Sequence, residues 1–287
     1  MLFRIGANQT VEVAGFKLVS VQRQSFQVAN TVEAGTGFKR IRKRQGGEYG
    51  IAAGTAAFNG GLIAVNQMSF DIEEHEVLGL IGPNGSGKTT MMNLISGALR
   101  ISSGHIQMFG HIISGQSASQ ISRLGVSRTF QLVRMLNSMT VLENVEAGGV
   151  FGHRKFWGSS LQMQAVEMLE KVGMGDAVYS PISALTYIDQ KRVELARALM
   201  SDPRLLLLDE WLAGLNPSEL QIGIGLVNSL REEGRTIIVV EHVMDAIRSL
   251  CDRCVVMNSG YKIAEGTPGE VLADEQVIQA YLGDDHA

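Results

Sequence analysis

A glycine-rich segment followed by lysine and threonine is the part of this sequence best suited to chemistry. Residues 82–89 read GPNGSGKT and fit the pattern G-x-x-x-x-G-K-[ST] in full. The glycines allow backbone N–H groups to turn inward around phosphates, and a following helix adds partial positive charge at its N-terminus. Lys88 should reach the β- and γ-phosphates of a nucleotide, and the Thr89 hydroxyl should bind Mg²⁺. The candidate ATP-binding residues here are Gly82, Asn84, Gly85, Ser86, Gly87, Lys88, Thr89 and Thr90.

Two carboxylates form the second candidate part of the site. Four leucines at 205–208 read as a buried strand, and Asp209 and Glu210 follow directly. Ligands bind at the carboxyl edge of such sheets, so Asp209 is placed to hold Mg²⁺, directly or through water. Glu210 can polarise the water that attacks the γ-phosphate, as a general base. The alternative, surface carboxylates at a strand end, does not explain why two acids follow an uninterrupted apolar run.

The elements that must position these residues alternate between strands and helices. Short apolar runs separated by helical patterns indicate α/β units around a largely parallel sheet covered on both faces. The predicted strands are 77–81, 205–208, 236–240 and 254–257, and the predicted helices are 88–99, 217–231 and 243–250. A chance glycine-rich turn at 82–89 is disfavoured because a strand precedes it and a helix follows it, as the motif requires.

The region from about 132 to 200 has a different pattern. Apolar residues recur at helical spacing between Leu161 and Val172, with no strand signal, which indicates an inserted helical subdomain. The polar, glycine-containing stretch 149–160 reads as a loop within it.

Composition narrows the class of protein. A net charge of −4 with 45% hydrophobic residues favours a folded domain and argues against a nucleic-acid binder. No run of 18 apolar residues is present, and no convincing signal peptide precedes the domain, so we expect a cytoplasmic protein.

The cysteines, Cys251 and Cys254, form a C-x-x-C motif that lacks a second ligand pair for zinc. A redox pair is the alternative to our interpretation, which is two small residues at the start of a buried strand.

The first 50 residues differ from the rest. They carry eight Lys/Arg and three Asp/Glu, including the basic run FKRIRKR at 38–44. We expect a poorly ordered extension before an ATPase domain at 51–287; a patch for nucleic acid or anionic lipid is the alternative. The Ala/Gly-rich segment 51–57 should give a weak, irregular or missing strand. A start site placed too far upstream, or a frame error, would explain both features.

Further motifs carry a family resemblance. Gln131 ends SRTFQ, residues 185–199 read LTYIDQKRVELARAL, AGLNP occupies 213–217, and His242 ends VVEH. Together with the phosphate loop, their order resembles the nucleotide-binding subunit of ABC transporters from about Phe58 to Asp284. The words MTVLENV, EGTP and AYLGD are most similar to those of branched-chain amino acid import ATPases.

The resemblance implies a fold and residue roles. The fold would be an ABC-type P-loop NTPase, with a RecA-like core, an antiparallel β part and the helical subdomain. Phe58 would stack on adenine, and Gln131 would contact Mg²⁺ or the attacking water and couple to the membrane partner. His242 would contact the γ-phosphate and orient the water with Glu210.

The resemblance also implies partners and a location. An ATPase of this kind would work with a second ATPase subunit and transmembrane permeases, and indirectly with a substrate-binding protein, on the cytoplasmic face of the inner membrane. It would hydrolyse ATP to drive import of branched-chain or related amino acids. Similar cassettes serve lipid or lipopolysaccharide exporters, and an ATP-binding regulatory subunit with low turnover is a further alternative. No nucleic-acid partner is expected, because neither a second cassette nor a long coiled-coil insertion is present.

The signature segment departs from the family pattern L-S-G-G-Q or L-S-Y-G-Q, which acts on the ATP bound by the partner subunit. It reads Leu185-Thr186-Tyr187-Ile188-Asp189. A β-branched residue at 188 should disfavour a close or positive-φ backbone approach, and Asp189 adds negative charge near a polyanion. We therefore predict an asymmetric heterodimer with one weakened site. The alternative is that this subfamily tolerates the change. Trp211 and Val243 replace the commoner proline and aspartate.

Overall fold

The computed structural model describes residues 63–282 in full and, before them, the backbone of 11–13, 16–18, 49–53 and 56–57. The chain divides into two units, residues 1–44 and 45–287. In the first unit the described strands pair antiparallel as a two-stranded ladder. Phe58, for which the sequence predicts an adenine-stacking role, lies outside the described part of the chain. So do most of residues 1–50, for which the sequence predicts poor order; only 11–13, 16–18 and 49–50 of them are described.

The helices and strands have the following bounds. The strands are β1 (Val11–Val13), β2 (Phe16–Leu18), β3 (Tyr49–Ala53), β4 (Ala56–Ala57), β5 (Ile63–Val65), β6 (Ser69–Ile72), β7 (Val77–Ile81), β8 (Gly104–Met108), β9 (His111–Ile112), β10 (Val126–Arg128), β11 (Leu205–Asp209), β12 (Thr236–Val240), β13 (Arg253–Asn258) and β14 (Tyr261–Gly266). The helices are α1 (Lys88–Ile95), α2 (Ala118–Arg123), α3 (Val141–Phe151), α4 (Gly158–Lys171), α5 (Tyr187–Leu199), α6 (Pro217–Glu232), α7 (Met244–Leu250), α8 (Pro268–Leu272) and α9 (Glu275–Leu282), with 3₁₀ turns at Gly175–Ala177 and Ile182–Ala184. None of the helices in the described residues is long and apolar enough to cross a bilayer.

A six-stranded sheet forms the centre of the second unit. Its order is β10-β11-β12-β7-β13-β14, and all neighbouring pairs are parallel except β13 with β14. Successive residues of the inner strands pack into two different apolar clusters; Leu206 and Leu208 face one, for example, and Leu205 and Leu207 face the other. Because both faces are covered, the strands read as continuous apolar runs rather than as alternating ones. The predicted largely parallel, doubly covered sheet is therefore confirmed.

An antiparallel four-stranded sheet has the order β6-β3-β8-β9. The expectation that the segment 51–57 would give an irregular or missing strand is wrong for its first half. Strand β3 pairs with β6 on one side and with β8 on the other, with Ile51 opposite both Phe70 and Ile106. Pairing on both sides supplies the backbone hydrogen bonds that a weak intrinsic β-propensity does not.

The described residues between β10 and β11 contain helices and turns but no named strand. The predicted loop at 149–160 is shorter than expected, since α3 continues to Phe151 and α4 begins at Gly158. A packing requirement explains why Gly148 lies inside α3. A Cβ atom on Gly148 would overlap the carbonyl oxygen of Arg197 in α5, so the glycine allows the two helices to approach closely. The predicted helix 88–99 is also too long, because Gly97 adopts the left-handed conformation (φ 72°) that ends a helix.

We expect Gly148→Ala to lower the free energy of unfolding by about 1–3 kcal/mol, because the methyl group must displace backbone of α5. Gly225→Ala is the matched control. Gly225 also lies inside a helix, α6, but nothing lies within 4 Å of its added Cβ, so the same substitution should raise stability by about 0.5–1 kcal/mol. Urea unfolding of both variants measures the difference, and equal effects would contradict the close-packing argument.

Candidate functional site

The phosphate loop connects β7 to α1 and closes around its own lysine. The Lys88 ammonium is buried and donates hydrogen bonds to the carbonyl oxygens of Gly82 and Pro83, at 2.7 and 2.8 Å. Gly82 has φ 148°, and a Cβ atom there would overlap the carbonyl oxygen of Met257 in β13. The loop can therefore start directly at the sheet edge only because this residue has no side chain.

The remaining predicted nucleotide ligands surround this lysine. Asn84, Gly85 and Thr89 are exposed, whereas Ser86 is buried below the loop. Thr89 and Thr90 lie in the first turn of α1, where backbone N–H groups have no intrahelical partner. The loop thus exposes the groups expected to contact phosphates and metal, while carbonyl oxygens of the loop itself hold Lys88.

Asp209 and Glu210 lie at the carboxyl end of β11, as predicted, but in different environments. The Asp209 side chain is buried, and its Oδ1 atom has no hydrogen-bond partner among the described residues. Glu210 has a left-handed backbone conformation, with φ 49°, and its N–H donates to the Val240 carbonyl at 2.8 Å. This conformation costs free energy for a residue other than glycine, and it turns the Glu210 side chain out of the strand direction.

Two residues that are far from Glu210 in the sequence, Gln131 and His242, contact its carboxylate. The Gln131 amide nitrogen donates to one carboxylate oxygen at 2.5 Å, and the His242 Nε2 atom lies 3.1 Å from the other. Gln131 follows β10, Glu210 follows β11 and His242 follows β12. Because these strands are neighbours and parallel, their carboxyl ends reach the same edge of the sheet.

Arg128 was not predicted as part of the site. Its guanidinium forms an ion pair with the Asp209 Oδ2 atom at 2.5 Å, and both side chains are less than a tenth exposed. The same guanidinium donates to the Asn93 side chain in α1 at 2.6 Å. The residue lies in the word SRTFQ, but sequence spacing alone gives no indication that it faces Asp209.

Lys191 and Trp211 form a second unpredicted cluster, next to the turn that carries Glu210. The Lys191 ammonium is buried and donates to the carbonyl oxygens of Trp211 and Ala213, at 2.7 and 2.8 Å, and more weakly to that of Glu210, at 3.4 Å. The Trp211 indole N–H donates in return to the Lys191 carbonyl at 3.2 Å. Burial lowers the pKa of Lys191, and nearby carboxylates oppose that effect. Trp211, at a position where the family commonly has proline, therefore fastens the turn after β11 to α5.

The carboxylate next to His242 is also buried. Glu241 accepts a hydrogen bond from the Leu212 N–H at 2.6 Å, and its side chain is 1% exposed. Burial raises the pKa of Glu241 to about 7, while the Leu212 N–H and the Lys191 ammonium oppose the increase. Val243, the next departure from the family pattern, is the N-cap residue of α7 and offers no side-chain cap, which costs about 1 kcal/mol relative to a capping aspartate.

The signature segment begins α5. Thr186 is its N-cap: the hydroxyl oxygen accepts from the Asp189 N–H at 3.3 Å, and the hydroxyl donates to the Asp189 carboxylate at 2.6 Å. Arg192 pairs with the other oxygen of that carboxylate at 3.1 Å. Ile188 has helical conformation within α5 and is buried, at 7% exposure, so its position does not require a positive φ. The effect of Ile188 on the approach to the partner's ATP stays a prediction.

Stability should depend on pH through Glu241. Its pKa is higher in the folded chain than the unfolded value, so its stabilising contribution is present at low pH and is lost as pH rises towards 7. Glu241→Gln keeps an acceptor for the Leu212 N–H and removes the titration. From pH 5 to pH 8, the wild type should therefore lose on the order of 2–3 kcal/mol relative to the variant, measured by urea unfolding at each pH. A stability difference that does not change with pH would contradict the raised pKa.

Comparison with known proteins places this geometry in a family. Residues 65–213 match the family "ABC transporter", and residues 262–287 match "Branched-chain amino acid ATP-binding cassette transporter". The crystal structure of the ADP conformation of MJ1267, an ATP-binding cassette of an ABC transporter, superposes with a TM-score of 0.75 at 29% identity, covering 82% of this chain and 98% of that one.

Two curated relatives match most of the sequence. The high-affinity branched-chain amino acid transport ATP-binding protein LivG of Salmonella typhimurium is 38% identical over 240 residues, covering 78% of this chain and 94% of LivG. BraF of Pseudomonas aeruginosa, which carries the same description, is 38% identical over 239 residues, with the same coverage. Since the family matches span the phosphate loop, Gln131, Glu210 and the C-terminal helices, and the relatives cover 78% of the chain, the chain belongs to the ATP-binding proteins of ABC transporters, in the branched-chain amino acid transport group.

Proposed function

We propose that this chain hydrolyses ATP to power a membrane importer of branched-chain or related amino acids. The observation that carries the proposal is the position of Glu210 between Gln131 and His242, at the sheet edge next to the phosphate loop. Relatives named as branched-chain amino acid transport ATP-binding proteins support the transport class. The imported substrate would be recognised by the permeases and the binding protein, since the described residues supply a nucleotide site.

The residues fit a magnesium ion. The unpartnered, buried Asp209 Oδ1 atom is an oxygen ligand of the kind that Mg²⁺ prefers, and Thr89 adds an exposed hydroxyl in the first turn of α1. Gln131 could add its amide oxygen, because its amide nitrogen is the atom that binds Glu210. When bound, the ion would neutralise charge on the β- and γ-phosphates.

The chain's own residues would divide the work of hydrolysis. Lys88 would leave the carbonyl oxygens that hold it and reach the β- and γ-phosphates. Glu210 would accept a proton from the attacking water, and His242 and Gln131 would keep its carboxylate in position. Because Lys191 and the Val240 carbonyl hold the turn at Glu210, the carboxylate should need little reorganisation to act.

The ATPase would act as an asymmetric heterodimer, in which each signature closes over the ATP of the other subunit. In this chain the Thr186 hydroxyl already donates to Asp189, so the group that would meet the γ-phosphate is committed to a carboxylate. Asp189 also places negative charge beside the phosphates, although Arg192 offsets part of it. The site that this chain completes for its partner would therefore be the weaker of the two.

The remaining assignments follow the same proposal. Residues 51–287 would be the ATPase domain, and residues from about 132 to 200 its helical subdomain. The domain would bind permease subunits as a peripheral protein on the cytoplasmic face of the inner membrane, and Phe58 would stack on the adenine.

Glu210→Gln should reduce the steady-state ATPase rate of the reconstituted transporter at least about a hundredfold, because the general base is lost while the side-chain shape is kept. The equivalent substitution in the partner subunit is the matched comparison and should cost far less. Phosphate release from both variant complexes measures this asymmetry, and equal losses would rule it out.

Asp189→Gln tests the signature itself. In a complex that also carries Glu210→Gln, so that hydrolysis at this chain's own site is silenced, we expect Asp189→Gln to raise the residual ATPase rate about fivefold, or about 1 kcal/mol. Glu232→Gln, which removes an exposed carboxylate at the end of α6, is the control for charge loss elsewhere. No change with Asp189→Gln would mean that this signature functions normally.

A further inference from the structure

Arg128 lies where three parts of the nucleotide site meet. It ends β10, opposite Leu207 of β11 and therefore two residues before Asp209 along the neighbouring strand. One guanidinium nitrogen, Nη2, pairs with the Asp209 Oδ2 atom at 2.5 Å. The other, Nη1, donates to the Asn93 Oδ1 atom on α1 at 2.6 Å and to the hydroxyl of Ser96, the residue directly after α1, at 3.3 Å. The guanidinium thus joins the helix of the phosphate loop to the strand that carries the carboxylate.

The same side chain also reaches the segment that carries Gln131. Its guanidinium carbon lies 5.3 Å from the centre of the Phe130 ring, and Arg134 lies 4.3 Å from the same ring. Phe130 directly precedes Gln131, whose amide binds Glu210. Arg128 therefore contacts each of the three segments from which metal-binding and water-orienting groups are proposed to come.

The contacts of Asp209 are divided between its two oxygens. Arg128 holds the Oδ2 atom, whereas the Oδ1 atom is buried and has no hydrogen-bond partner among the described residues. A carboxylate held by one oxygen presents the other in a fixed direction, which reduces the reorganisation needed to bind a cation. Only a planar, two-pronged cation can hold Asp209 and reach Asn93 at once, and a lysine ammonium cannot reproduce this arrangement.

We propose that Arg128 is a positioning residue for the magnesium site: it fixes Asp209 through one oxygen so that the other is pre-aligned for the metal, and it keeps that carboxylate in register with the phosphate-loop helix. The inference rests on the proposed role of Asp209 as a metal ligand. It predicts that removal of the Arg128 charge weakens Mg²⁺ binding, whereas simple electrostatics predicts the opposite change. Removing a nearby positive charge should strengthen cation binding if charge alone matters, whereas loss of positioning should weaken it.

The test measures metal binding separately from nucleotide binding and from turnover. With the full chain and the fluorescent nucleotide methylanthraniloyl-ATP, nucleotide affinity is measured in EDTA, and the half-saturating Mg²⁺ concentration is then measured at saturating nucleotide. For Arg128→Met we expect the half-saturating Mg²⁺ concentration to rise about tenfold, with metal-free nucleotide affinity within about twofold of wild type. The half-saturating Mg²⁺ concentration of Arg128→Lys should lie between those of the wild type and Arg128→Met. If Arg128→Met does not fold, Arg128→Lys tests the inference by the same criteria.

Arg134→Met is the matched control, because Arg134 stacks on the same Phe130 ring and forms no ion pair with Asp209. Its half-saturating Mg²⁺ concentration should stay at the wild-type value. An unchanged or lower Mg²⁺ requirement in Arg128→Met would overturn the inference, as would a parallel loss of metal-free nucleotide binding. Asp209→Asn separates the two hypotheses: if it leaves the Mg²⁺ requirement unchanged, the proposed metal role of Asp209 is what has failed.

Discussion

The buried ammonium of Lys191 holds the turn on which the geometry of the Glu210 carboxylate depends. Desolvating an ammonium is costly unless hydrogen bonds replace the lost water, and carbonyl oxygens of the turn after β11 supply those bonds. In exchange, the turn is held in the conformation that places Glu210 at a positive φ. Glu210 can then meet Gln131 and His242, and Trp211 closes the arrangement through its bond to the Lys191 carbonyl.

The parts of the fold that sequence could predict are those in which one local pattern has one structural solution. The strands at 77–81 and 236–240 have the predicted bounds, because an apolar run of that length between polar residues fits a strand buried on both faces. The phosphate loop was equally readable, since its glycines and lysine are constrained by local backbone geometry. The errors arose where contacts with residues distant in the sequence determine the local structure. Pairing on both sides stabilises β3, and contact with α5 places Gly148 inside α3.

The same distinction between local and distant contacts applies to the residues of the candidate site. Position at a strand end could be inferred for Asp209 and Glu210 from the sequence, and the roles of Gln131 and His242, which contact Glu210, from the family resemblance. Arg128 and Lys191 could not be found, because an arginine or lysine in a polar stretch usually lies in solvent. Only the three-dimensional structure shows that each is buried against a group on another element. The burial of Ile188 could not be inferred either, because sequence alone does not show which way a helical side chain points.

In the proposed dimer, helix α5 would contribute to two sites that bind different nucleotides. Its first turn carries the signature, which would face the ATP of the partner. Lys191, five residues after Thr186, holds the turn at Glu210, the proposed general base of this chain's own site. At about 1.5 Å per residue, roughly 8 Å of rigid helix separates the two. The two active sites of the dimer would thus be coupled through one short, rigid helix of this subunit. If α5 tilted when the signature contacts the partner's ATP, the position of Glu210 would change directly, with no intervening chain of residues.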